Sequence, residues 1–333
     1  MQVSGWSKLL GHAMPVKFLR ASLAKGRVGH AYAFVGPEGV GKATTALVFA
    51  QALLCEATST IGDPCGMCRT CGRIERGVHP DLHVLRSDGG SIGIDQVREL
   101  QNALSLKPYE GKRKVAMIDD AHTMTVASQN SLLKVLEEPP GDTVIIVIAT
   151  NASALLPTIR SRCQLIRFQP NALDDVVGRL LEHGVPEDRA KLIAAIAEGR
   201  IGIALSMAES DIVALRDRVA AWIGELKAGA AGLRSVIRIG QALEEEKDRI
   251  GEYLNLMFLW LRDLILLKEG ADEAIANHDA KDRLSDQAAR MGVPEIAKAM
   301  RAVDDAVGAL RSHANLRLTL DVMLTHMQRS LSP

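Results

Sequence analysis

The sequence predicts an α/β domain with a parallel sheet and a phosphate-binding loop, followed by domains made only of helices. Three observations support this class. A strand, a glycine-rich turn and a helix follow one another between residues 31 and 54, and apolar strand segments alternate with helical segments to about residue 169. From about residue 212 the pattern is one of long amphipathic helices. We therefore predict three domains, at 1–169, 170–208 and 209–333.

The composition is that of an ordinary globular protein, with 47% hydrophobic and 24% charged residues. Forty basic and forty acidic residues give a formal net charge of zero, so the bulk charge indicates neither a nucleic-acid nor a membrane partner. The most apolar helical segment, 253–267, is interrupted by Asn255, Arg262 and Asp263, which favours a bundle core over a membrane span. With no apolar signal core at the N-terminus, we expect a cytoplasmic protein.

The phosphate-binding loop fits G-x-x-x-x-G-K between Gly36 and Lys42. In such a loop the backbone N–H groups and the lysine surround the phosphates of ATP or ADP. The candidate nucleotide-binding residues are Gly36, Gly39, Gly41, Lys42 and Thr44. Thr44 lies one residue out of register, because position 43, where the motif carries a Ser or Thr that binds Mg²⁺, is Ala43.

A second signal of a nucleotide site is the apolar run 115–118, which ends in Asp119 and Asp120. A buried parallel strand of this kind delivers a carboxylate to Mg²⁺, and we assign Asp119 that role. An acidic turn after an ordinary core strand is the alternative, but it is disfavoured behind a phosphate-binding loop. Further strands are predicted at 82–85, 144–149 and 164–168, with helices at 95–106, capped by Asp95, and 125–137.

Four cysteines are grouped in the polar, Gly- and Pro-rich insertion 55–72. They are Cys55, Cys65, Cys68 and Cys71. Four thiolates complete a tetrahedral shell around Zn²⁺ and leave no open position for a reacting water, so the predicted site is structural. Four unrelated core cysteines are the alternative, which the two overlapping C-x₂-C pairs disfavour. Cys163 stands apart and is predicted to be a buried, small apolar residue.

The order of these motifs resembles that of bacterial clamp-loader subunits of the AAA+ class along the whole chain. The segments that carry the resemblance are His30-Ala31-Tyr32, the cysteine insertion, His79-Pro80-Asp81, residues 130–140 (NSLLKVLEEPP) and Ser161-Arg162-Cys163. The resemblance implies an AAA+ α/β domain, a small helical lid domain and an all-α collar domain that joins a ring. It also implies as partners the tau/gamma and delta subunits of a hetero-pentamer, with the sliding clamp and primer-template DNA reached through the complex.

In that family the arginine of Ser-Arg-Cys is an arginine finger that enters the ATP site of a neighbouring subunit. The resemblance gives this role to Arg162, whose planar, permanently charged guanidinium suits charge that develops on a γ-phosphate. A surface salt bridge is the plain structural alternative.

Three positions depart from the motor subunits tau and gamma, which carry Thr after the loop lysine, Asp-Glu after the second strand, and an arginine in Gly-x-x-Arg-x-Ala-Leu. Here these positions hold Ala43, Asp120 and Gly202. Arg200 lies two residues before the third position, about 200° away around a helix. The departures imply a stator that does not hydrolyse ATP by itself, and they leave nucleotide binding open.

Two other functions stay open. An active tau/gamma-like ATPase would use Thr44 and Asp120 in place of the missing groups. A DNA-binding zinc protein is the third, but the later part of the cysteine insertion offers only Arg69 and Arg73 as basic residues, with no interleaved aromatics.

Overall fold

The computed structural model describes residues 5–57, 62–87, 90–226, 229–311 and 314–331, so residues 58–61 of the predicted insertion lie outside the described part. Within those ranges the chain forms two compact units. The first contains residues up to 176 together with 199–203, and the second contains 177–198 and the residues from 204 onward. The three-domain division stays a prediction.

A five-stranded parallel sheet forms the centre of the described first unit. Its strands are β1 (Ala31–Val35), β2 (Leu82–Leu85), β3 (Lys114–Ile118), β4 (Thr143–Ala149) and β5 (Gln164–Arg167). Their order across the sheet is β2-β3-β4-β1-β5, with every neighbouring pair parallel. Each predicted strand is found within one residue of its predicted ends. The parallel α/β prediction is therefore confirmed.

Helices cover both faces of this sheet. They are α1 (Ala13–Ala24), α2 (Lys42–Leu54), α3 (Arg69–Glu75), α4 (Ile94–Ser105), α5 (Val126–Glu137) and α6 (Pro157–Arg160). Tyr32 and Phe34 of β1 pack with Phe49 of α2 on one face, whereas Ala33 belongs to the cluster beneath α4 and α5 on the other. Because both faces are buried, β1, β3 and β4 are buried at every position, which explains their apolar runs.

The predicted cap of α4 is wrong. The helix begins at Ile94, and the Gln96 side chain reaches back to accept a hydrogen bond from the Gly93 N–H at 2.9 Å. Asp95 lies in the first turn instead, where it pairs with Arg98 at 3.2 Å. A glutamine three residues after the cap satisfies an N–H group that has no partner within the helix, so no aspartate cap is needed.

From residue 173 onward the described residues form helices joined by turns and loops, without a strand. The helices are α7 (Leu173–Glu182), α8 (Glu187–Ala197), α9 (Ile201–Ala208), α10 (Ile212–Glu225), α11 (Gly229–Glu245), α12 (Ile250–Lys268), α13 (Lys281–Ala288), α14 (Val293–Arg311) and α15 (Leu316–Leu331). The apolar helix α12 packs in the bundle, with Tyr253, Trp260 and Leu264 fully buried. Among the described residues no helix is long and apolar enough to span a membrane.

Asp81, from the His79-Pro80-Asp81 segment, organises a loop at the start of β2. Its buried carboxylate accepts hydrogen bonds from the backbone N–H groups of Tyr109 (2.6 Å), Glu110 (2.9 Å) and Gly111 (2.8 Å). Burial by itself raises the pKa of Asp81, but the three N–H donors outweigh it and leave that pKa below its usual 3.8. The residue is thus a structural anchor for the loop.

We expect Asp81→Asn to lower the free energy of unfolding at pH 7 by about 1–3 kcal/mol, because the new NH₂ group faces backbone donors. The carboxylate has a lower pKa in the folded chain than in the unfolded chain. Its contribution is therefore complete above the unfolded pKa and is lost as the pH falls through the folded pKa. Denaturant unfolding at several pH values checks this. The difference in the free energy of unfolding between Asp81→Asn and the parent should narrow only below pH 3.8. Asp95→Asn, at an exposed position, serves as the control. A difference in unfolding free energy that is constant with pH contradicts the account.

Candidate nucleotide site and cysteine cluster

The phosphate-binding loop joins the carboxyl end of β1 to the first residue of α2. Gly41 precedes the helix with a φ of 107°, a backbone conformation that L side chains rarely adopt. Lys42 is the first helical residue, so its side chain and the N-terminal N–H groups of α2 face the end of the sheet. The local geometry is that predicted from the G-x-x-x-x-G-K pattern.

A cavity of about 360 Å³ lies in front of this loop. It is lined by Glu38, Gly39, Gly41, Lys42, Ala43, Thr44, Arg86, Asp119, Asp120, His122, Ile148, Ala149, Thr150 and Gly202. The segments that follow β2, β3 and β4 meet here, as expected where the carboxyl ends of parallel strands share one edge of a sheet. The predicted residues Gly39, Gly41, Lys42, Thr44 and Asp119 all line the cavity, whereas Gly36 lies outside the lining and accepts a hydrogen bond from Lys42 through its carbonyl.

The side chain of Lys42 forms hydrogen bonds with the phosphate-binding loop itself. Its Nζ donates hydrogen bonds to the carbonyl oxygens of Gly36 (2.6 Å) and Pro37 (2.7 Å). Desolvation by burial lowers the pKa of Lys42, and the negative charges of Asp119, Glu38 and Asp120 oppose part of this shift. A phosphate that enters the cavity therefore competes with two backbone carbonyls for this ammonium group.

Asp119 is held by Arg86, a residue that the sequence interpretation did not single out. Oδ2 of Asp119 accepts a hydrogen bond from Nε of Arg86 at 3.2 Å and lies 3.0 Å from its Nη2 in an ion pair, and Oδ1 accepts from the Asp120 N–H at 3.1 Å. Arg86 directly follows β2, the neighbour of β3 in the sheet, and His122 closely follows Asp119. The position of Arg86 in the sequence could have identified it, since residues just beyond the carboxyl ends of adjacent parallel strands lie close together.

Gly202 touches the phosphate-binding loop through its backbone. Its N–H donates to the Gly39 carbonyl at 2.7 Å, and a Cβ added at Gly202 would lie 3.1 Å from that oxygen. The family pattern indicates that the motor subunits carry an arginine at this position. Here the position is a glycine whose backbone packs closely against the loop.

Arg162 lies outside the residues that line the cavity. It follows α6, and its Nη2 pairs with Glu137 at 2.7 Å while Nη1 donates to the Thr158 carbonyl at 3.0 Å. The side chain is 36% exposed, and ion pairs between exposed groups contribute only about 0–1 kcal/mol. Arg162 is therefore accessible to a neighbouring molecule at a small energetic cost.

The four grouped cysteines form a compact cluster in the described part of the chain. Their Sγ atoms all lie within 4.8 Å of one another, with 3.9 Å between Cys55 and Cys68 and 4.0 Å between Cys65 and Cys71. A tetrahedral zinc site with bonds of 2.3 Å places its sulfurs about 3.8 Å apart, so these residues fit such a metal. Backbone N–H groups of Met67 and Cys68 lower the pKa of Cys65 to about 6, which favours the thiolate. The cluster is able to bind a metal ion.

Cys163 behaves differently from the cluster. It is partly buried against the core beneath α4 and α5. Desolvation raises the pKa of its thiol to about 12, as expected for a small apolar core residue.

Residues 11–172 match a protein-family model described as "DNA polymerase III, delta subunit". Residues 220–329 match a second family model, for the C-terminal part of that subunit. The delta-prime subunit of DNA polymerase III from Bacillus subtilis is 31% identical over 94% of this chain and 95% of its own length. The gamma/tau subunit of Mycobacterium tuberculosis H37Rv is 29% identical over 97% of this chain but only 61% of its own length. A gamma-subunit-related protein of Thermotoga maritima matches in structure with a TM-score of 0.48 and 17% identity, over 95% of this chain and 99% of that one.

The sequence relatives agree with the resemblance drawn from the motifs, and the delta-prime relative is matched nearly from end to end. This chain belongs to the delta-prime family of DNA polymerase III clamp-loader subunits.

Proposed function

We propose that this chain is a stator of the clamp loader, which does not hydrolyse ATP alone and donates Arg162 to the ATP site of an adjacent motor subunit. The observation that carries the proposal is the convergence of Ala43, Asp120 and Gly202 on one cavity. A Mg²⁺-binding hydroxyl, a longer carboxylate and a sensor arginine are thus all replaced around the same phosphate position. Since phosphoryl transfer depends on positioned charges, these changes together remove most of its supports.

The partners in this proposal are tau/gamma and delta subunits in a hetero-pentameric ring. The complex loads the sliding clamp on primer-template DNA in the cytoplasm, as a component of the DNA polymerase III holoenzyme, a DNA-directed DNA polymerase. The three predicted domains serve as AAA+ domain, lid and collar. The cysteine cluster binds one structural Zn²⁺, because its sulfur geometry suits a closed tetrahedral shell.

An active tau/gamma-like ATPase is the second candidate, favoured by the presence of Thr44 and Asp120 in the cavity lining. A DNA-binding zinc loop has weaker support, because Arg73, directly after the insertion, is engaged by both carboxylate oxygens of Glu110 at 2.6–2.7 Å.

The purified chain should show no ATP turnover above background in the presence of Mg²⁺, and Lys42→Ala should leave that background unchanged. A steady-state phosphate-release assay checks both. Turnover at the level of a tau or gamma subunit that disappears in Lys42→Ala would support the second candidate and overturn the stator proposal.

A further inference from the structure

The carboxylate that binds Mg²⁺ in related sites is here paired with a cation supplied by the chain itself. Nε and Nη2 of Arg86 both contact Oδ2 of Asp119, while Oδ1 is engaged by the Asp120 N–H. Both carboxylate oxygens therefore have partners, and the Asp119 side chain is only 13% exposed. The Arg86 side chain, by contrast, is 57% exposed, so the guanidinium holds Asp119 at the rim of the cavity while staying accessible to a ligand.

Mg²⁺ does not fit the residues present. It needs near-ideal octahedral geometry and gives up its water ligands reluctantly. Ala43 supplies no hydroxyl ligand, and a cation that approaches Asp119 must displace the Arg86 guanidinium. With the charge of Asp119 balanced by Arg86, the field that would attract a divalent cation to this carboxylate is also reduced.

The cavity nevertheless keeps features that suit a phosphate chain. Lys42 and Arg86 both line it, beside the glycine turn whose backbone approaches the cavity. Glu38 and Asp120 also line it, so phosphates need an additional positive charge beside them. The Arg86 guanidinium has five N–H donors, and only Nε and Nη2 contact Asp119, so its remaining donors are able to bind phosphate oxygens beside Lys42.

We propose that Arg86 takes the place of the divalent cation at Asp119, so that this cavity binds the phosphates of a nucleoside diphosphate without Mg²⁺. The proposal does not depend on the role of Arg162. It accords with an inactive ATPase, because binding of this kind supplies no metal to the transferred phosphoryl group.

Calorimetric titration of the full chain with ADP, in EDTA and in excess MgCl₂, tests the proposal. We expect dissociation constants that agree within about threefold between the two buffers. Arg86→Gln should weaken ADP binding in EDTA by roughly 10- to 100-fold, the usual effect of losing a charge-assisted hydrogen bond. Mg²⁺ should then restore part of the affinity, because Asp119 is no longer occupied. Arg98→Gln, on the exposed surface of α4, is the matched control and should bind like the parent.

The parent chain alone can overturn the proposal, whatever the folding of the variant. ADP binding that requires Mg²⁺, or no ADP binding in either buffer, contradicts it, as does an Arg86→Gln variant that binds like the parent. Pyrophosphate in EDTA should displace bound ADP if the phosphate chain is the group recognised. Failure of pyrophosphate to compete would show that the base or sugar is recognised instead, and would also overturn the proposal.

Discussion

Replacement of Arg162 by alanine is expected to slow ATP hydrolysis in the adjacent motor subunit by roughly 10³- to 10⁵-fold, the range seen for arginine fingers that act in trans. The side chain is partly exposed, and its contacts with Glu137 and the Thr158 carbonyl are of a kind that contributes little to stability. The variant should therefore fold and assemble normally.

The assay requires a complex in which only the adjacent subunit keeps its own loop lysine, because other motor sites would conceal the loss. Two controls separate a finger from a structural arginine. Glu137→Ala breaks the ion pair but keeps the guanidinium, and Arg160→Ala removes an exposed arginine two residues away. Both controls should hydrolyse ATP at the parent rate. An unchanged rate in Arg162→Ala, with assembly intact, would show that Arg162 is only structural.

Cys68→Ser is expected to release one Zn²⁺ per chain, and with it a binding free energy of about 10 kcal/mol or more. The substitution isolates the metal contribution. Cys68 is also the N-cap of α3, where its Sγ accepts from the Cys71 N–H at 3.4 Å, and serine is a preferred residue at that position. The cap is therefore kept while the thiolate ligand is lost.

Elemental analysis of protein purified without chelator measures the zinc content. Hydrogen exchange measures how far the backbone around the cysteine cluster loosens when the metal is lost. Exchange should rise across 62–75 and stay unchanged in α12 and α14, which are held by their own apolar packing. Cys163→Ser is the matched control, because Cys163 lies outside the cluster, and it should keep one zinc per chain. Zinc-free parent protein, or a Cys68→Ser variant that keeps its zinc, would refute the metal site.

Much of the fold was predictable because the buried strands are recognisable in the sequence as apolar segments. β1, β3 and β4 are buried at every position, so each contains an uninterrupted apolar run, preceded in β3 by Lys114 and in β4 by Thr143, and the glycine turn fixes where β1 ends. The cysteine cluster was predictable for a similar reason, since its spacing brings the ligands together within a few turns of chain. In both cases the information is local.

Side-chain pairing across strands was not predictable in the same way. The contact between Arg86 and Asp119 depends on β2 and β3 being neighbours, and it joins residues 33 positions apart. The predicted cap of α4 was wrong for a related reason. Asp95 and Gln96 are both able to satisfy a helix N-terminus, and only the backbone geometry decides between them. The hydrogen bonds of Lys42 to its own loop are likewise set by geometry and not by spacing.

The contact between Gly202 and Gly39 couples position 202 to the phosphate-binding loop. Any side chain at position 202 brings a Cβ to 3.1 Å from the Gly39 oxygen, closer than such atoms normally approach. Gly39, with its φ of 76°, is itself hemmed in by Ile203, whose Cγ1 would lie 2.6 Å from an added Cβ. A side chain at position 202 therefore requires the Gly39 backbone to shift by a few tenths of an ångström. Under the proposed stator function, regaining the sensor arginine thus requires a small rearrangement of the loop as well as the substitution itself.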